Sequence, residues 1–71
     1  MNADQVPNRL KIARVERGLT QAELADLVGV TRQTIGLIEA GRYNPTLNLC
    51  LNLARVTSKT LDELFGEGGA S

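Results

Sequence analysis

Residues 19–45 read LTQAELADLVGVTRQTIGLIEAGRYNP, and this stretch decides the fold. Thr20 and Glu23 have the T-x-x-E spacing of a capping box, in which each side chain satisfies a free backbone N–H of a helix's first turn. A second helix is expected to begin at Thr31, because threonine is a good N-cap. Only three residues, 29–31, connect the two helices. A connection this short forces the helices to cross steeply, which predicts a helix-turn-helix.

Further helix signals flank this motif on both sides. Pro7 and Gly18 bound a first helix. Thr46 is a suitable N-cap for a fourth helix, and a second T-x-x-E capping box begins at Thr60. The predicted helices cover residues 8–17, 20–28, 31–40, 47–56 and 61–65. Alternating apolar and polar residues are scarce and aromatic residues are 3% of the chain, so the predicted fold is all-α, a compact five-helix bundle in which helices two and three form the helix-turn-helix.

The length and composition of the chain limit what it can do. Seventy-one residues make one domain, for which we expect an ordered core over about residues 8–65 and a flexible tail over residues 66–71. With no histidine, one cysteine and no glycine-rich phosphate loop, the chain lacks the usual parts of a catalytic or metal site. We therefore predict that it is not an enzyme and uses no metal, cofactor or small-molecule ligand.

No segment of the sequence is typical of a membrane or secreted protein. A run of about 18 apolar residues, which a membrane span would need, is absent. The N-terminal MNADQVPN lacks the basic and apolar regions of a secretion signal. We therefore expect a cytoplasmic protein.

The charges are balanced in number but not in position. The formal net charge is zero, whereas nucleic-acid-binding proteins are usually basic. Six of the eight basic residues lie in the first 42 positions, and three acidic residues lie in the last ten. A folded chain could therefore carry a basic face and an acidic end, although the same residues also fit an ordinary solvated surface. The six basic residues are Arg9, Lys11, Arg14, Arg17, Arg32 and Arg42.

The two faces of the predicted third helix differ in chemistry. Ile35 and Ile38 are three residues apart and would pack on helix two. The apolar residues expected on the inner face of helix two are Leu24, Ala25, Leu27 and Val28. Arg32, Gln33 and Leu37 fall on roughly the opposite face of helix three. Arginine can donate to the two acceptors of guanine and glutamine can pair with adenine, so the first turn of this helix suits the major groove of DNA.

The motifs of residues 19–45 resemble a known family. TQAELA, the G-V-T turn, R-Q-T-I and the ending I-E-x-G-x-Y-N-P occur at the spacing found in the Cro and phage-repressor (Xre) family of helix-turn-helix regulators. The resemblance extends over about residues 9–65 and is nearest to the short stand-alone repressors, such as the cytolysin-operon repressor. It implies a homodimer with a recognition helix over residues 31–40. It also implies a transcriptional repressor that reads an inverted-repeat operator in double-stranded DNA.

The resemblance further implies roles for individual residues. Those that would contact DNA bases are Arg32, Gln33, Thr34 and Leu37. Those that would contact DNA phosphates are Gln21, Thr31, Arg42, Tyr43 and Asn44. Arg14 and Glu39 match a buried ion pair that ties helix one to the end of helix three. Gln21 opens helix two, where free backbone N–H groups also favour an anion.

Several residues have more than one interpretation. Leu37 could contact a thymine methyl group or be an isolated surface leucine. Gly36 costs about 1 kcal/mol relative to alanine inside a helix, and it could permit close approach to DNA or have no role. Cys50 fits a small core residue better than a redox switch. Tyr43 is expected to pack its ring against the chain rather than stack on a base.

Two groups of residues depart from the family pattern. They are Thr57, Ser58 and Lys59 before helix five, and Ile12 and Val15 on helix one. The first three replace the usual leucine, glycine and apolar residue, which leaves the packing of helix five open. The last two are apolar where many members are charged. Together with Leu49 and Leu53 of helix four, they fit the core, a dimer contact or both.

Two classes of function fit this sequence. One is a DNA-binding repressor, and the other is an antitoxin-like or protein-interaction module built on the same fold. The side chains of Arg32, Gln33 and Arg42 suit contacts with DNA bases and phosphates. A surface that binds only protein would not need them. An antitoxin usually has extra sequence that wraps its toxin, and here only about six residues of tail are spare. Both points favour the DNA-binding repressor.

Overall fold

The structure is a computed structural model that describes residues 8–66. Over that range the chain forms five helices and no strand, so the predicted all-α fold is confirmed. The helices are α1 (Leu10–Glu16), α2 (Gln21–Val28), α3 (Arg32–Glu39), α4 (Leu47–Thr57) and α5 (Leu61–Phe65). None of these five has the length and apolar character needed to cross a membrane. The predicted tail lies outside the described residues except for Gly66, which ends α5.

Four of the five helices follow a threonine whose side chain accepts a backbone N–H from the first turn. These N-caps are Thr20, Thr31, Thr46 and Thr60. Two of them form complete capping boxes, in which a glutamate accepts the N–H of the capping threonine at 2.9 Å (Glu23) and 2.8 Å (Glu63). Each cap contributes about 1 kcal/mol, so the helix starts follow from local chemistry.

Two helix ends take a left-handed backbone conformation. Gly29 ends α2 with φ 77° and ψ 31°, which glycine adopts without steric cost and which turns the chain toward α3. Ser58 ends α4 with φ 59° and ψ 37°. A residue with a Cβ is destabilised by roughly 1–2 kcal/mol in this conformation. That cost explains why the family pattern has glycine where this chain has Ser58.

The core is built from one face of each helix. α2 packs on both α3 and α4, α1 packs on α3 and α5, and α5 also packs on α4. The buried apolar residues are Leu10, Ala13, Leu24, Ala25, Ile35, Ile38, Leu49, Leu53, Ala54 and Leu64. The inward positions predicted for Ile35 and Ile38 are therefore confirmed.

One residue of α2 faces away from the side that the sequence predicted. Leu27, assigned to the inner face, is 60% exposed, so that assignment is wrong. Leu24, Ala25 and Val28 form the inward face. At about 100° per residue, Leu27 lies about 100° around the helix from the centre of that face, and so it points to solvent.

The leucines of α4 divide between the core and the surface. Leu49 and Leu53 are buried, with 8% and 0% of their surface exposed, so both are core residues. Leu47 and Leu51 are 67% and 47% exposed. Residues two apart on a helix are about 200° apart, which is why the two pairs lie on opposite faces.

Two of the residues that depart from the family pattern help to position α5. Thr57 is buried, and its hydroxyl donates to the carbonyl oxygen of Leu53 at 2.8 Å, so its polar atom is satisfied. Lys59 Nζ lies 3.0 Å from Glu16 Oε1, which joins the start of α5 to α1. The hydrogen bond to Glu16 raises the pKa of Lys59. The helix therefore packs on α1 and α4 without the usual apolar residue at position 59.

Candidate nucleic-acid interface

The outer face of α3 is exposed from its first turn. Arg32 and Gln33 are both exposed, and no hydrogen bond or ion pair within residues 8–66 engages either side chain. Leu37, one turn further along, is 36% exposed, whereas Ile35 and Ile38 are buried on the opposite face. The helix therefore presents polar side chains to solvent while its apolar side packs in the core.

The N-terminus of α3 is fixed by two threonines. Thr31 Oγ1 accepts the backbone N–H of Thr34 at 3.2 Å, and the two hydroxyl oxygens lie 3.0 Å apart. A hydroxyl has one donor and two acceptor positions. The cap therefore leaves hydrogen-bonding capacity on both residues, which were predicted to contact phosphate and base respectively.

Arg14 and Glu39 join α1 to the last turn of α3. Arg14 Nε donates to Glu39 Oε2 at 2.6 Å and Nη2 donates to Oε1 at 3.3 Å, which makes the pair bidentate. The two side chains are 12% and 6% exposed. Arg14 Nη1 also donates to the carbonyl oxygen of Leu19 at 2.8 Å. The charge of Arg14 is therefore neutralised inside the fold and does not add to a basic surface.

The side chain of Gln21 crosses from the start of α2 to α3. Its Nε2 donates to Glu39 Oε1 at 3.0 Å. It also lies over Gly36, where an added Cβ would be 3.7 Å from Nε2. An amide nitrogen carries two hydrogens, so one remains available when the other is bonded to Glu39. No local pattern predicts this contact, because its partners are 18 positions apart on different helices.

The remaining residues predicted to contact phosphate follow α3. Arg42, Tyr43 and Asn44 are exposed, and 40% of the Tyr43 surface is accessible. The backbone N–H of Arg42 donates to the carbonyl oxygen of Leu37 at 2.9 Å, which holds the start of this loop against the helix. The eight residues of α3 span about 12 Å. The loop and Thr31 therefore lie at opposite ends of the candidate surface.

Asn8 is a structural residue that the sequence reasoning missed. Its Oδ1 accepts the backbone N–H of Leu10 at 3.1 Å, and its Nδ2 donates to the carbonyl oxygen of Ile38 at 2.7 Å. An asparagine two residues before a helix is typical of an Asx turn, so the first bond had a local signal. The second bond joins the segment before α1 to the end of α3, and no local sequence signal predicts it.

Other reactive groups are few in the described part of the chain. Cys50 is half-buried, and burial raises the pKa of its thiol, which disfavours the reactive thiolate. A groove of about 400 Å³ lies between α1 and α5, with charged and apolar side chains on its walls. Among residues 8–66 no group of three metal-ligating side chains could hold a metal ion.

The arrangement of α2 and α3 is that of an established family. A family model described as "Helix-turn-helix" matches residues 10–64. The chain is 46% identical over 57 residues to an uncharacterised HTH-type transcriptional regulator of Archaeoglobus fulgidus, and the match covers 80% of this chain and 81% of that protein. The chain therefore belongs to the helix-turn-helix family of the Xre and Cro type, as its motifs implied.

Two further similar proteins extend this result. The chain is 36% identical over 62 residues to the immunity repressor protein of Bacillus phage phi105, a match that covers 87% of this chain and 43% of the phage protein. The crystal structure of the restriction-modification controller protein C.AhdI from Aeromonas hydrophila superposes with a TM-score of 0.72 at 36% identity, over 78% of this chain and 83% of that one. The nearer resemblance to the cytolysin-operon repressor stays a prediction.

Proposed function

We propose that this chain is a sequence-specific DNA-binding protein that acts as a homodimeric repressor of transcription. The observation that carries the proposal is the outer face of α3, where Arg32 and Gln33 are exposed and engaged by no other described residue. In this proposal α3 lies in the major groove, which is about 12 Å wide and admits a helix. The buried side of the same helix fixes the backbone from which these two side chains project.

The first turns of α3 carry the base contacts in this proposal. The guanidinium of Arg32 donates to guanine O6 and N7, and the amide of Gln33 pairs with adenine. Leu37 contacts a thymine methyl group, and the hydroxyl of Thr34 bonds to a base edge. A bidentate contact of this kind discriminates against a wrong base by about 1–3 kcal/mol, so Arg32 and Gln33 supply most of the specificity.

Phosphate contacts orient the protein on the DNA. Gln21 and Thr31 stand at the N-termini of α2 and α3, where free backbone N–H groups attract an anion. The amide of Gln21 is held by Glu39, so its second N–H loses little freedom when it bonds a phosphate. The loop residues that reach phosphates beyond α3 are Arg42, Tyr43 and Asn44.

The regulatory role is supported by the proteins that this chain resembles. The Archaeoglobus relative is named a transcriptional regulator, and the phage phi105 relative is named an immunity repressor protein. A two-fold dimer would bind an inverted repeat whose half-sites lie one helical turn, about 34 Å, apart. A repressor of this kind works by occupying DNA and needs no catalytic step.

Selection of bound sites from a pool of random double-stranded DNA tests this proposal. We expect enriched sites with two-fold symmetry and half-site centres separated by about 10 base pairs or a multiple. Arg32→Ala protein in a parallel selection should enrich sites with one position of each half-site relaxed. Recovery of unenriched sequence by the wild-type protein would contradict the proposal and would favour the antitoxin-like or protein-interaction alternative.

A further inference from the structure

The outer face of α3 changes from polar to apolar after its first turn. Gln33, Leu37 and Ala40 are all exposed, and Ala40, the C-cap, keeps right-handed helical dihedral angles. They are four and three residues apart, so they form one row along the helix, which we call the outer row. Gln33 carries an amide, whereas the side chains of Leu37 and Ala40 are hydrocarbon. The outer row therefore offers hydrogen bonds at its start and only apolar contact beyond it.

The other residues of α3 bring no free polar group beside Leu37. Gly36 has no side chain. The carboxylate of Glu39 accepts hydrogen bonds from other helices, and its side chain is only 6% exposed. Thr34 lies nearer the start of the helix, where its hydroxyl oxygen is 3.0 Å from that of Thr31. In the second turn of α3, Leu37 is therefore the side chain that would meet a base, and it would do so without a hydrogen bond.

Leu37 is more covered by the protein than the other large aliphatic side chains on the surface. It is 36% exposed, whereas the others, on α1, α2 and α4, are between 47% and 67% exposed. A side chain that already packs partly on the protein loses less conformational freedom when it binds. Leu37 is therefore suited to a defined apolar contact with a ligand that lies along α3.

The apolar group that the major groove offers to such a side chain is the C5-methyl group of a pyrimidine. Thymine presents this methyl group beside its O4 acceptor, whereas cytosine presents an N4 donor and has no methyl group. Only a side chain that forms hydrogen bonds can distinguish O4 from N4, and leucine has no donor or acceptor. 5-Methylcytosine carries the same methyl group on the same carbon as thymine. Leu37 therefore has the chemistry to accept both methylated pyrimidines and to disfavour cytosine.

We propose that Leu37 reads the C5-methyl group itself, so that 5-methylcytosine replaces thymine at one position of each half-site and unmethylated cytosine does not. The inference rests on the proposed function, because it requires α3 to lie in the major groove. One helical turn advances about 5.4 Å and base pairs are about 3.4 Å apart, so this position is about one or two base pairs from the adenine of Gln33. A site with cytosine at this position is then bound according to its methylation.

Deoxyuridine tests the methyl contact, because it is thymidine without the C5-methyl group. Each thymine of the selected site is replaced in turn, in both half-sites, and fluorescence anisotropy measures the affinity. At one position we expect binding to weaken about fourfold for each half-site, which is the ~0.8 kcal/mol of one buried methyl group at about 1.4 kcal/mol per tenfold. In Leu37→Ala, the ratio of the affinities for thymine and deoxyuridine at that position should fall to about one, because the contact is gone. Leu27→Ala is the matched control, since Leu27 is an exposed leucine of α2, and it should keep the wild-type ratio.

Cytosine methylation tests the second half of the proposal. The thymine identified in this way is replaced by cytosine, with guanine opposite, and the site is prepared with and without a C5-methyl group on that cytosine. Methylation should raise the affinity of the wild-type protein and of Leu27→Ala about fourfold for each half-site, and it should leave Leu37→Ala unchanged. Each comparison is a ratio for one protein, so a variant that is partly unfolded gives the same result.

Three results would overturn the proposal: equal affinity for thymine and deoxyuridine at every position, a methyl effect that persists in Leu37→Ala, or cytosine methylation without effect. Leu37 would then be an isolated surface leucine. The proposed function would still stand if the protein selects a site whose preference Arg32→Ala relaxes. Failure to select any site would contradict the proposed function and this inference together.

Discussion

The inner and outer faces of α3 are formed by the same eight residues, but only the inner face is buried against the rest of the protein. On the inner face, Ile35 and Ile38 are buried, and Glu39 accepts hydrogen bonds from other helices. On the outer face, Arg32 and Gln33 are exposed and have no partner among residues 8–66. Stability and recognition are therefore separated on one helix. A change on the inner face should alter folding, and a change on the outer face should alter only binding.

Removal of the Glu39 carboxylate, on the inner face of α3, should have the largest effect, which is a loss of folding stability. In Glu39→Ala, the guanidinium of Arg14, which is 12% exposed, loses its counter-charge, and the amide of Gln21 loses its acceptor. A nearly buried charge without a partner typically costs about 3–5 kcal/mol, which is enough to unfold so small a domain. Urea denaturation followed by circular dichroism measures the free energy of unfolding.

Glu16→Ala is the matched control for this experiment. Glu16 is also a glutamate in an ion pair, but its side chain is 55% exposed, and exposed pairs contribute about 0–1 kcal/mol. A similar loss of stability in both variants would mean that burial of the Arg14–Glu39 pair is not what matters. An unchanged melting temperature for Glu39→Ala would contradict the structural role of the pair.

The inner face of α3 includes contacts that the sequence predicts and contacts that it does not. The helix starts were predictable because threonine caps act within four residues, and Ile35 and Ile38 were predictable from helical spacing. The bond from Gln21 to Glu39 was not predictable, because it depends on how α2 and α3 cross. Leu27 was misassigned for a similar reason, since an apolar residue at the border of a helix face is buried only if a neighbour covers it.

The outer face was predictable in composition but not in function. Helical spacing and the family resemblance both led to Arg32 and Gln33, and the structure leaves both side chains exposed. The bases that these side chains read depend on the DNA and on the crossing angle of the helix, and neither is contained in the protein sequence. Base and phosphate contacts therefore stay predictions, and variants of the outer face test them.

Replacement of Arg32, on the outer face of α3, should weaken DNA binding without affecting stability. We expect Arg32→Ala to lose about 1–3 kcal/mol of binding to the selected site and to relax the preference at one base pair of each half-site. Its unfolding free energy should stay within about 0.5 kcal/mol of the wild-type value, because the side chain is exposed. Fluorescence anisotropy with the selected site and its point variants measures the affinity. An equal loss of affinity for every sequence would show that Arg32 does not read bases.

Arg42, in the loop after α3, has the same charge as Arg32 but lies in a different position. Arg42 lies beyond the end of the helix, so its side chain should reach phosphate and not base edges. We expect Arg42→Ala to weaken binding to all sequences by about the same factor and to reduce the salt slope by about one for the phosphate that each subunit no longer neutralises. Titrations at several salt concentrations measure the slope. A change in sequence preference would contradict a role limited to phosphate.

The smallest effect is expected at Gly36, which lies at the border between the two faces. An added Cβ at this position would meet only Gln21 Nε2, at the ordinary contact distance of 3.7 Å. Gly36→Ala should therefore raise the free energy of unfolding by about 1 kcal/mol, because alanine is the better helix former. Since a contact at this distance does not displace the Gln21 amide, we expect the affinity for DNA to change less than about twofold, a difference well below 1 kcal/mol.

Ser58→Gly is the control that separates stability from binding in this comparison. It relieves the left-handed strain at the end of α4, where φ is 59°, and should also raise stability by up to about 1 kcal/mol. Both variants should then have higher melting temperatures and wild-type affinity. If Gly36→Ala alone loses tenfold or more in affinity, and the loss persists in a Gln21→Ala background, the added methyl group meets DNA directly. Gly36 would then belong to the binding face, as a position where the helix backbone approaches the groove closely.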